Sequence, residues 1–190
     1  MAATPSTMLE LGTRMPAFRL PSTQGDFISS KQLDLPTALL VVFLCPHCPF
    51  VRHIRTELAK FGRDYQPRGL AIVAINSNDT ATYPQDGVEG MKQEIRETGY
   101  TFPYLSDETQ EVAKTFRAAC TPDFFLFDRN RKLVYRGQFD SSRPGNGVPP
   151  SGSDLRAAAD AVLEGRAPAV DQKPSVGCNI KWKVGNRPEY

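Results

Sequence analysis

Thr37-Ala38-Leu39-Leu40-Val41-Val42-Phe43-Leu44 runs without a charge into Cys45-Pro46-His47-Cys48. A continuous β-branched and leucine run predicts a central strand covered on both faces. After Cys48, the apolar residues Phe50, Val51, Ile54, Leu58 and Phe61 recur at helical spacing, with Gly62 as the expected stop. The two thiols therefore fall where a buried strand hands over to a helix. Cysteines three residues apart can close a reversible disulfide, and a helix N-terminus favours a thiolate through its unpaired N–H groups and its dipole.

Outward from this junction, Leu70–Ile75 is a second apolar strand, which makes a parallel strand–helix–strand unit. A polar loop, Asn76 to Gly90, leads to a helix of about ten residues ending near Gly99. A short strand at Tyr104-Leu105 and a helix over Thr109–Arg117 follow. Phe124–Phe127 and Leu133–Phe139 flank the polar turn Asp128–Lys132 as an antiparallel hairpin. Upstream, Ala17–Leu20 and Asp26–Ile28 predict a smaller hairpin around Ser22-Thr23-Gln24-Gly25. Downstream, Ser141–Gly152 is a loop, and Ser153 or Asp154 caps a last helix through Leu163. The tail from Gly165 carries three prolines, Cys178 and the one tryptophan, Trp182.

At 190 residues, 40% hydrophobic and 23% charged, the chain reads as a single globular domain over 1–190, with residues 165–190 as a tail packed on it or extending from it. The net charge is +2 and the basic residues are scattered, so no nucleic-acid footprint is expected. No apolar run approaches the roughly 20 residues that span a bilayer, so no membrane partner is expected either. Met1 to Thr13 has neither a basic start nor an apolar segment, so no signal peptide is expected and the chain reads as cytoplasmic. Four cysteines are too few for a disulfide scaffold; in a reducing compartment, C-x-x-C beside a βαβ pattern reads as redox.

The order strand, cysteine turn, helix, strand, then Thr121-Pro122 leading into a hairpin and a last helix, resembles the thioredoxin fold. Cys45–Val51, Ala74–Asp79, Phe102–Ala113, Cys120–Asp128, Ser141–Gly147 and Pro174–Trp182 are similar to the peroxiredoxin-like (redoxin) branch of that superfamily. The resemblance implies an α/β protein: a three-layer α/β/α sandwich with a central mixed sheet, an N-terminal hairpin extension and a redoxin-type insertion. It also implies a cis peptide at Thr121-Pro122, a Thr121 backbone open to a substrate chain, and Cys120 near the thiols.

Two registers fit this template. In one, Cys45 attacks and Cys48 resolves, with Pro46 and His47 tuning the thiolate. In the other, Cys48 attacks, Val51 occupies the resolving position, and Cys45 or Cys120 resolves. Cys178 is a further candidate redox thiol. Arg52 and His53, one turn into the helix, are candidates to support the thiolate. Asn76, Asn78 and Asp79 stand at a strand's C-terminal edge, where open α/β sheets place ligand sites; turn and capping roles are the simpler reading. Asp123, Arg143 and Asn146 match the family pattern but read as loop-ordering residues. No metal is expected: a closed zinc site needs four ligands, and no second C-x-x-C or H-x-x-x-H exists. No cofactor is implied.

Peroxiredoxins carry P-x-x-x-T-x-x-C. Counted back from Cys48, the Thr and Pro positions hold Cys45 and Val41; from Cys45, they hold Val42 and Ala38. Neither register carries the motif. The expected activity is therefore thiol–disulfide exchange with protein or small-molecule disulfides and a dithiol reductant. A thiol peroxidase with antioxidant activity towards peroxides and a non-catalytic redox sensor are the alternatives.

Overall fold

The computed structural model describes residues 3–33 and 37–190; Met1 and Ala2, where the leaderless reading begins, and residues 34–36 lie outside them. In chain order the elements are β1 (Ala3–Pro5), β2 (Arg19–Pro21), β3 (Phe27–Ser29), β4 (Ala38–Phe43), α1 (Pro49–Tyr65), β5 (Leu70–Asn76) and α2 (Val88–Thr98). There follow β6 (Tyr104–Ser106), α3 (Glu111–Phe116), β7 (Cys120–Thr121), β8 (Asp123–Asp128), β9 (Leu133–Gly137), α4 (Ser153–Leu163) and β10 (Val176–Asn179).

A five-stranded mixed sheet has the order β6-β5-β4-β8-β9. β4 pairs parallel with β5, Leu40 opposite Ile72, and antiparallel with β8, Leu40 opposite Leu126. Every residue of β4 is buried, because its alternating side chains feed two cores. Leu40 and Val42 pack with α1, α2 and α4; Leu39, Val41 and Phe43 pack with α3 and the N-terminal hairpin. Phe116 of α3 meets Phe43, Phe125 and Phe127 edge-on at 5.5, 5.6 and 6.0 Å, so these strand aromatics are core. The arrangement is the expected three-layer α/β/α sandwich.

Beyond shifts of a residue or two at element ends, and a last helix whose N-cap is Gly152 with no side-chain cap from Ser153 or Asp154, three features differ from the sequence reading. First, α1 runs through Gly62 to Tyr65. Gly62 sits inside the helix because its missing side chain admits the Phe102 ring, which would stand 3.1 Å from a Cβ. Gly69, left-handed at φ 96°, stops the chain instead. Second, the upstream hairpin lies one or two residues further on than its pattern suggested, with Leu20 opposite Ile28 across the expected turn. Third, the tail returns. β10 is the middle strand of a second sheet, β1-β10-β7, with Cys178 opposite Thr121 and Asn179 opposite Cys120. Three strands of two to four residues carry too little periodicity to be read from sequence.

One buried acid has a measurable consequence. Glu94 of α2 is 2% exposed, and neither carboxylate oxygen has a partner. Burial pushes its pKa up to about 7. The unfolded carboxyl titrates near its ordinary value, so the native state holds the extra proton between about pH 4.5 and 7, and stability falls as pH rises through that window. The full loss is about 3 kcal/mol. Glu94→Met is expected to flatten the profile, gaining stability at pH 8 and little at pH 4, as read by urea denaturation at both pH values. An unchanged slope between them would show that Glu94 is not its source.

Candidate functional site

Helix α1 opens on Pro49 at its first position, where the missing N–H costs nothing. Cys48 is therefore the N-cap residue, with extended backbone, and its carbonyl accepts the first helical bond from Arg52 N–H at 2.9 Å. Cys45 lies one turn earlier, just past the end of β4. The thiol at the helix terminus is thus Cys48, and Val51 is one turn inside.

Thr121-Pro122 is a cis peptide and meets both thiols. As a thiol, Cys48 donates to the Thr121 carbonyl at 3.1 Å, while Cys45 Sγ lies 3.4 Å from Thr121 Oγ1. Cys178 of β10 closes the other side, so Cys48 is flanked by two thiols. Facing it, Cys178 and then Cys45 hold the Cys48 pKa far below that of a free thiol, and Thr121 and the Val51 N–H add to the effect. These outweigh the desolvation of a fully buried sulfur. The two donors are pushed the opposite way: Cys45 and Cys178 are both raised, each chiefly by its bond to Cys48. Of the three neighbouring thiols, Cys48 is therefore the one these contacts make easiest to ionise.

Cys120 takes no part in this cluster. Its Sγ turns to the Pro122 carbonyl at 3.7 Å, and burial raises its pKa. The resemblance drew attention to Cys120, yet the thiol the fold brings to Cys48 is Cys178. β10 makes the difference, since its antiparallel register with β7 fixes Cys178 opposite Thr121, so the Thr121 backbone that was expected to lie open to a substrate chain is instead paired and buried.

The remaining candidates fall around this core. His47 N–H donates to Asp86 Oδ1 at 3.1 Å, and His47 Nδ1 lies 2.5 Å from Asp86 Oδ2. Its ring stacks on Tyr83 at 5.6 Å. Arg52 folds back to the Pro46 carbonyl at 2.9 Å. Asn76 and Asn78 are structural: their side-chain amides donate to the Asp86 carbonyl and to Asp86 Oδ2, at 2.6 and 2.8 Å. Asn78 Oδ1 also accepts Lys181 N–H, and Asp79 N–H donates to the Lys181 carbonyl, which ties the tail beside the thiols. Arg143 and Asn146 order their own loop: the Arg143 guanidinium donates to the Asp140 and Ser142 carbonyls and to Gln138 Oε1, and Asn146 Oδ1 accepts Arg143 N–H. Asp123 is wholly buried, and burial lifts it to about 7. His53 and Ser142 line a small cavity beside Pro122 and Arg143.

Two residues here were not singled out from sequence. Asp86 lies in a polar loop where nothing marks one acid over another. Gln110, left-handed and fully buried, donates to the Ser77 and Lys181 carbonyls, anchoring the tail. Cys45, His47 and Asp86 place donor atoms within 4.8 Å of one another. At 2.5 Å the His47–Asp86 contact is a hydrogen bond, closer than the ~3.3 Å that separates two ligands of one tetrahedral zinc ion.

A thiol pair at a strand-to-helix junction, faced by a cis-proline and carried on this sheet, defines a thioredoxin-like protein. Residues 11–136 match the AhpC/TSA family, and the chain belongs to that family. It is similar to the crystal structure of a hypothetical protein from Sinorhizobium meliloti 1021, with 53% identity and a TM-score of 0.94 over 96% of this chain and 100% of that one. An uncharacterized conserved protein from Geobacillus kaustophilus is 52% identical, TM-score 0.94, over 96% and 97% of the two chains. A thiol:disulfide interchange protein of the thioredoxin family from Chlorobium tepidum TLS shares the fold at 19% identity, TM-score 0.63, over 81% and 98%. Comparison with curated proteins gives no match. Among the described residues, no helix is long and apolar enough to cross a membrane.

Proposed function

We propose that the protein is a thiol–disulfide oxidoreductase in which Cys48 attacks a substrate disulfide and a flanking thiol releases the product. The observation that carries this reading is Cys48 at the α1 N-cap, beside the thiols of Cys178 and Cys45, whose contacts favour its ionised form. Attack by the thiolate forms a mixed disulfide and expels one thiolate of the substrate; a second thiol of this chain then attacks Cys48 Sγ and expels the other. A dithiol reductant resets the pair.

A residue identity separates this from peroxide reduction. Where the peroxide-reducing motif places a Thr hydroxyl, this chain has Cys45. That position supplies a second thiol for exchange in place of a hydroxyl to hold a peroxide. Rapid peroxide consumption, faster than free cysteine achieves, would favour the peroxidase reading instead.

The trapping experiment is direct. A Cys45→Ser, Cys178→Ser protein treated with a small disulfide is expected to accumulate a mixed disulfide at Cys48, located by mass spectrometry of the tryptic peptide. Label distributed over Cys48 and Cys120 alike, or absent from Cys48, would contradict the assignment of the attacking sulfur.

A further inference from the structure

Whichever thiol resolves the mixed disulfide must first lose a proton, and burial, which raises both Cys45 and Cys178, still opposes that loss once Cys48 carries the substrate. The surroundings of the two differ. Apart from Cys48, the charged side chain that acts on Cys178 is Lys181, a cation that accepts no proton. Cys45 has His47 and Asp86, with donor atoms of all three within 4.8 Å of one another.

The ring is held firmly. Asp86 is fully buried, and its carboxylate receives the His47 backbone N–H on one oxygen and the His47 ring and the Asn78 amide on the other. Asn76 fixes the same residue through its carbonyl, and Tyr83 covers the face of the ring. In the tautomer that donates Nδ1–H to Asp86, Nε2 is left as the acceptor that a general base requires. The charged and titratable groups around the ring are Asp86 and Tyr83 from the loop, Cys45, Cys48 and Arg52 from its own segment, and Lys181 of the tail, which lies over Tyr83 at 5.9 Å.

We propose that Asp86 is a positioning residue that holds His47 as the proton acceptor for Cys45, and that this makes Cys45, not Cys178, the thiol that resolves the mixed disulfide on Cys48. The inference rests on the exchange reading above. In the step, the Cys45 S–H proton passes to His47 through one water, as Cys45 Sγ bonds to Cys48 Sγ. The Cys48–substrate S–S bond breaks, and the departing thiolate takes the proton from His47. Dithiol protein plus one disulfide thus becomes disulfide protein plus two thiols, with no further oxidant.

Stopped-flow reaction with dithiobis-nitrobenzoate, an aromatic disulfide that releases one coloured thiolate at attack and a second at resolution, separates the two events. Asp86→Asn is expected to slow the second release at least about tenfold while the first stays within about twofold. The rise of the second-release rate, followed from pH 5 to 8, is expected to move to lower pH, because removing the Asp86 charge eases the ionisation of Cys45. Asp86→Glu is expected to restore part of it, which a merely structural role would not. His47→Gln, which keeps a donor facing Asp86, is expected to give the same selective loss if Asp86→Asn folds poorly. Cys45→Ser is expected to abolish the second release, whereas Cys178→Ser, which slows attack by loosening the hold on the Cys48 charge, is expected still to give a second release. A second release unchanged in rate and pH profile in both Asp86→Asn and His47→Gln, or one surviving in Cys45→Ser, would overturn the proposal. Loss of the first release in the wild-type protein would instead overturn the assignment of Cys48 as attacking thiol.

Discussion

Cys48→Ser is expected to lower disulfide exchange by at least about 10³-fold, measured as reduction of a mixed-disulfide reporter by a dithiol, with the far-ultraviolet spectrum unchanged. The size follows from the role: a serine hydroxyl at neutral pH supplies almost no anion, and neither neighbouring thiol stands at the helix terminus. The fold should tolerate the change, because Ser is a good N-cap residue and Cys48 makes no side-chain cap of its own. Cys45→Ser should fail differently, by stalling after attack with the substrate still attached. Equal loss in both variants without a trapped adduct would place the attacking sulfur elsewhere.

The second large effect concerns access. Cys48 is 0% and Cys45 1% exposed, so no disulfide reaches either sulfur in the arrangement described. The element packed over them is β10, held by β1, β7 and the Asn78, Asp79 and Gln110 contacts to residue 181. Its close approach to β7 depends on Gly177: a Cβ there would stand 2.0 Å from the Thr121 carbonyl oxygen and 2.6 Å from its carbon. Backbone cannot give way as the end of a flexible side chain can. Gly177→Val is therefore expected to lift β10 from β7, cost about 1–3 kcal/mol of stability, and raise the rate of Cys48 alkylation in the native protein by at least about tenfold. Cys178→Ala keeps the strand and removes the thiol, so it should raise the Cys48 pKa with a much smaller gain in access. Alkylation as slow in Gly177→Val as in wild type would show that another segment controls entry.

These two expectations draw on information of different kinds. The central sheet was legible because β4 and β5 are apolar for their whole length and α1 repeats its apolar residues at helical spacing, patterns long enough to exceed local noise. The hairpin from Asp123 was marked by its polar turn, although the irregularity between Leu126 and Phe127 and the early end of β9 at Gly137 were not. Gly62 misled, since a glycine read as a stop was needed for the approach of Phe102, a contact 40 positions away.

For the site, the strand–cysteine–helix order marked the region but not which thiol caps the helix. That depends on where the first turn closes, and Pro49 places it one cysteine later than a Cys45 register would. Asp86 was not legible as a neighbour of the thiols, and Cys178, although a candidate redox thiol, could not be placed beside Cys48 ahead of Cys120. Each arrives through long-range pairing, one by a four-residue strand and one by a single buried carboxylate in a loop.

The most direct measurement is the rate of iodoacetamide alkylation of Cys48 in the native protein as a function of pH, resolved by peptide mass. A sulfur ionised by its two neighbouring thiols and the helix terminus predicts a rate nearly flat from about pH 5 to 8. A rate that instead climbs about tenfold per pH unit towards an ordinary thiol midpoint near 8.5 would contradict it.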